Sequence, residues 1–118
     1  MMRRLALAAL AAMAPVAVLA EGFTVIDLGV TRDRETCLYR AEQALSRYER
    51  EYGLSEFEVT TWIVFAYDLR PGDQDLTISC PILGEGDGFV NAFLHVHGEA
   101  SSEEREDTAT AIENYWFE

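Results

Sequence analysis

Residues 59–69 read VTTWIVFAYDL, a run of β-branched and aromatic side chains in which only Asp68 is charged. Such residues fit a pleated sheet surface, so the run predicts a strand. Alternation places Val59, Thr61, Ile63, Phe65, Tyr67 and Leu69 on one face and Thr60, Trp62, Val64, Ala66 and Asp68 on the other. Both faces are largely apolar, which predicts a central strand with something covering each side.

Working outward toward the N-terminus, residues 33–52 carry Cys37, Ala41, Ala44, Leu45, Tyr48 and Tyr52 three or four apart, the single apolar stripe of a helix packed on a sheet. Thr31 or Asp33 can cap its start, and Gly53 ends it. Four arginines (34, 40, 47 and 50) against five acids (33, 35, 42, 49 and 51) make its other side a solvated, charge-balanced face. Residues 23–30, FTVIDLGV, predict a first strand with Ile26, Leu28 and Val30 on one side and Asp27 on the other.

Toward the C-terminus, Arg70-Pro71-Gly72-Asp73 has turn chemistry and predicts a hairpin. Residues 76–83 then form a strand with Leu76, Ile78, Cys80 and Ile82 on one face and Thr77, Ser79 and Pro81 on the other. After a loop at 84–88, residues 89–99 form a fourth strand, Val90, Ala92, Leu94 and Val96 pointing inward and Phe93, His95, His97 and Glu99 outward. Ser101 and Glu104 have capping-box spacing, opening a final helix with Ala109, Ile112, Tyr115 and Trp116 as its apolar stripe. The expected fold is α+β with element order β-α-β-β-β-α: an antiparallel meander sheet with a long N-terminal helix and a short C-terminal helix packed on it. In element order alone this is similar to cystatin-like domains, none of whose sequence motifs are present. The α-β-β-β-α portion resembles double-stranded-RNA-binding domains, whose function the acidic charge opposes.

Residues 1–20, with Arg3 and Arg4 before an apolar run and small residues at its end, predict a secretory signal peptide cleaved before Glu21. The run is about sixteen residues and interrupted by Pro15, short of the roughly twenty a spanning helix needs. Residues 21–118 are then one small exported domain, periplasmic or secreted, with no membrane insertion after cleavage. It has no lysine, and seven arginines against twenty-one acids leave it at −14 with His neutral. Nucleic acid and anionic membranes call for a basic surface, so neither is an expected partner. Exported thiols oxidise, and Cys37 on the helix stripe faces the apolar strand side that carries Cys80, so the two are expected to form a disulfide.

Catalytic chemistry finds no foothold: no serine lies in a Gly-x-Ser-x-Gly elbow, lysine is missing, and both cysteines are assigned to each other. Gly84, Gly86 and Gly88 sit among acids that repel phosphate, and the pairs Asp73/Asp75 and Glu85/Asp87 lack the ligand spacing of a calcium loop. No cofactor is expected. The second face of the sheet gathers Trp62, Val64, Phe93, His95 and His97 with Thr77 and Ser79; either the C-terminal helix covers it or it is a binding surface. These features predict a non-enzymatic binding module for an unknown protein partner of basic character, cationic hydrolases such as lysozyme being one class. The alternative is a metal-binding or metal-delivery protein using His95, His97 and Glu99, since two imidazoles and a carboxylate on one strand face can ligate zinc or copper.

Overall fold

Thr60, Thr61 and Trp62 break the apolar run in two. In the computed structural model, which describes residues 22–83 and 88–118, the Thr60 N–H donates to the Ile63 carbonyl at 2.9 Å. The Thr60 hydroxyl donates to the same carbonyl at 2.6 Å and accepts from the Ile63 N–H at 3.2 Å. A threonine that bonds its neighbour's backbone offers the chain a turn in place of a ladder. The chain reverses there, and Glu56–Val59 folds back as a strand on Ile63–Leu69. No glycine, asparagine or proline marks this turn, and so it reads as continuous strand by composition.

The elements are β1 (Gly22–Thr31), α1 (Arg34–Glu51), β2 (Glu56–Val59), β3 (Ile63–Leu69), β4 (Gln74–Ser79), β5 (Val90–Gly98) and α2 (Ser102–Phe117). The α+β class holds, but the order is β-α-β-β-β-β-α, one strand more than expected. All neighbouring strands are antiparallel, in the spatial order β1-β5-β4-β3-β2. β4 is therefore the middle strand, and β3, expected to be central, lies one in from the edge. Nor is the first helix long: at 18 residues it exceeds the second, of 16, by half a turn. Both helix starts are as read. Asp33 caps α1 by accepting from the Thr36 N–H at 2.7 Å, and Ser101 caps α2 by accepting from the Glu104 N–H at 3.2 Å.

Two irregularities redirect side chains. At Asp27/Gly29 the β1–β5 register shifts, with Gly29 at φ +89° and its N–H bonded to the Asp27 carboxylate at 2.8 Å. Such a bulge inserts a residue and reverses the alternation beyond it, so Val30, expected on the side of Leu28, is 57% exposed. Between Ala66 and Leu69, Asp68 at φ +54° shifts the β3–β4 register and turns Leu69 into the core, away from the face of Phe65 and Tyr67. The strand expected over 76–83 also stops early. Its ladder ends at Ser79, and past Pro81, which has no N–H to give, only an isolated bridge joins Ile82 to Val90.

Both helices lie on one side of the sheet. Cys37, Ala41, Ala44, Leu45 and Tyr48 of α1 and Ala109, Ile112 and Trp116 of α2 are buried with Val64, Ala66, Leu76, Ile78, Ala92, Leu94 and Val96 of the sheet. Arg40 ties the helices together: its Nη2 donates to the Trp116 carbonyl at 2.7 Å and its guanidinium lies 4.5 Å over the Trp116 ring. Cys37 and Cys80 are bonded as expected, their Cα atoms 6.1 Å apart and both residues fully buried. The bond joins the second turn of α1 to the chain just past β4. Among the described residues no helix is long and apolar enough to cross a membrane. The expected leader at 1–20, and Glu85 and Asp87, lie outside the described residues.

Candidate functional site

With both helices on one side, the other side of the sheet has no covering layer among the described residues. Strand register gives its composition row by row. Val25 pairs with His95, His95 with Thr77, Thr77 with Phe65 and Phe65 with Glu58. A second row runs Phe23, His97 and Asp75, with Tyr67 and Glu56 beyond it; a third runs Asp27, Phe93, Ser79 and Ile63. Phe23 is 62% exposed, Val25 61% and Phe93 37%, while the inward neighbours of Phe93, Ala92 and Leu94, are fully buried.

Of the residues expected on this face, Phe93, His95, His97, Thr77 and Ser79 are there. Val64 belongs to the core, and Trp62 sits, half-exposed, in the turn between β2 and β3. Phe23, Val25, Ile63, Phe65 and Tyr67 occupy the face instead. The signal for Phe23 and Val25 was available, because they alternate with Thr24 and Ile26 in β1. Phe65 and Tyr67, expected on the face opposite Trp62 and Val64, lie here instead: β3 is apolar on both sides, and alternation does not say which side the helices cover.

The histidines sit within an aromatic cluster. The Phe23 ring lies 5.1 Å from His95 and 5.6 Å from His97, and the two imidazoles are 6.5 Å apart. His97 Nδ1 is buried and has no hydrogen-bond partner. Glu99, the third of the candidate metal ligands, follows the end of β5 at Gly98 and is exposed in the bend leading to α2. Among the described residues no three His, Cys, Asp or Glu side chains come together as a metal-holding group.

Next to the histidines the surface dips into a hollow of about 160 Å³, lined by Phe65, Tyr67, Asp75, Thr77, His95 and His97 with the chain at Ala66 and Leu76. Asp75 is held in place by accepting from the Asp68 N–H at 3.2 Å.

Charge on the face is one-sided. Asp27, Asp75, Glu56 and Glu58 point out of it, and none of the seven arginines of residues 22–118 lies on it. Those arginines serve elsewhere. Arg34 Nε donates to the Cys80 carbonyl at 3.0 Å, Arg47 pairs with Glu118, Arg70 meets Asp73 at 3.2 Å, and Arg105 is buried against the Ala100 carbonyl.

Asp27, at the rim, titrates below the usual aspartate value of 3.8, first because Asn91 Nδ2 donates to it at 2.7 Å and then because the Gly29 N–H does. A carboxyl whose folded pKa is depressed adds stability that is present above 3.8 and is lost as pH falls through the folded value. The urea midpoint of unfolding should therefore fall as pH drops below 3.8, and Asn91→Ala should make that fall smaller. An unchanged pH profile in the variant would show that Asn91 does not set the Asp27 titration.

No family model, curated protein or solved structure matches this chain.

Proposed function

We propose that this protein is an exported, non-enzymatic binding module that docks a basic protein on the open face of its sheet. The face left uncovered among the described residues carries the reading. An antiparallel sheet commonly leaves one side to water, but that side is then polar; here Phe23, Val25, Ile63, Phe65, Tyr67 and Phe93 stand on it. Contiguous apolar surface rimmed by polar groups marks interaction sites on soluble proteins. Five strands about 4.8 Å apart make a face roughly 20 Å across, and a six-residue strand such as β4 is about 20 Å long, so the face covers about 400 Å², about half of the ~800 Å² that one partner contributes to a standard interface. The rim then selects among partners. Carboxylates without a single arginine repel acidic proteins and steer basic ones. The buried disulfide is compatible with an oxidising compartment, and with both cysteines bonded there is no free thiol to act as a nucleophile.

A photo-crosslinking residue placed at Phe93, with a matched control at exposed Glu42 on α1, tests this in envelope extract. Position 93 should capture a basic protein, and about 0.5 M salt should weaken the capture by screening. Equal capture from position 42, or capture of an acidic protein from position 93, would overturn the reading.

A further inference from the structure

We infer that the hollow beside the histidines is a pocket for one arginine side chain of the basic partner, a step that rests on the docking face proposed above. At about 160 Å³ it is smaller than the roughly 300–1,000 Å³ of a typical site for a free drug-sized molecule. One long side chain entering from a partner matches that scale. The walls come from three adjacent strands. Phe65 and Tyr67 rise from β3, His95 and His97 from β5, and Asp75 and Thr77 stand between them on β4. Aromatic and imidazole rings flank a single carboxylate, and the Asp68 N–H fixes that carboxylate in position.

A guanidinium suits this arrangement better than an ammonium. It is planar, stacks on ring faces, donates in a fork to a carboxylate and is less strongly hydrated. The protein uses the same combination internally: Arg47 lies 5.0 Å over the Tyr115 ring while pairing with the Glu118 carboxylate. In the hollow, Tyr67 and Asp75 supply the ring and the acid, and none of the seven described arginines lines it. An aromatic pocket that becomes buried as it receives a partner's arginine is a common centre of binding energy in protein interfaces.

The test uses the exported protein and three blocked tripeptides, Gly-Arg-Gly, Gly-Lys-Gly and the neutral isostere Gly-citrulline-Gly, followed by amide chemical shifts. The arginine peptide should give saturable shifts centred on residues 65, 75, 77, 95 and 97. The lysine peptide should bind about tenfold more weakly, and citrulline should leave those shifts unmoved. Asp75→Asn, which keeps an oxygen for the Asp68 N–H, should retain the folded spectrum and lose the arginine response. Arginine shifts spread evenly over acidic surface, equal response to lysine, or an undiminished response in Asp75→Asn would each overturn the pocket. Crosslinking separates this from the parent reading. Capture at position 93 that is unaffected by Asp75→Asn removes the arginine pocket and leaves the docking face, whereas absence of capture in the otherwise wild-type protein removes the docking face itself.

Discussion

The Cys37→Ala, Cys80→Ala double variant should lose about 4 kcal/mol of unfolding free energy relative to the oxidised protein, because a bond across 43 residues removes that much loop-closure freedom from the unfolded chain. Both cysteines are fully buried, so trimming them to alanine adds a packing loss of the same sign. The total is a large share of the roughly 5–15 kcal/mol that small domains possess, and the variant should be partly unfolded at growth temperature. Urea unfolding of the oxidised protein, the reduced protein and the double variant measures the effect. Reduced protein and variant should agree to within about 1–2 kcal/mol, the remaining difference being the packing term. A double variant as stable as the oxidised protein would show that the bond contributes no stability.

Adjacent residues of β5 should respond in opposite ways. Leu94 is fully buried between Ile26 and Ile78, and Leu94→Ala should cost about 2–5 kcal/mol through lost burial and the cavity left behind. Phe93, one residue earlier, faces Asp27 and Ser79 on the open side, and Phe93→Ala should cost under about 1 kcal/mol. The second substitution should instead weaken docking of the partner, since it removes an aromatic group from the proposed interface. Urea unfolding of the two variants is the measurement. Comparable destabilisation would mean that something covers Phe93 in solution, and the face could not then be an open docking surface.

What the sequence determined by itself is local. The stripe from Cys37 to Tyr48, the caps at Asp33 and Ser101 and the alternation from Val90 to His97 depend on residues within a few positions of one another, and each stands in the structure where its pattern places it. The disulfide was legible for a related reason: two local patterns, a helix stripe and a strand face, each pointed one cysteine at the same core. What only the tertiary structure decided is which surfaces meet. Thr60 makes a turn because Glu56–Val59 has a partner strand to return to, a long-range condition that β-rich composition does not register. Gly29 and Asp68 reverse alternation at bulges, moving Val30 outward and Leu69 inward against their strand parity. The two faces of β3 are nearly equal in hydrophobicity, so the choice of Val64 and Ala66 for the core, and of Phe65 and Tyr67 for the hollow, came from where α1 and α2 settled. Because both helices bury their stripes on the same side of the sheet, the opposite side was left aromatic, acidic and, among the described residues, uncovered.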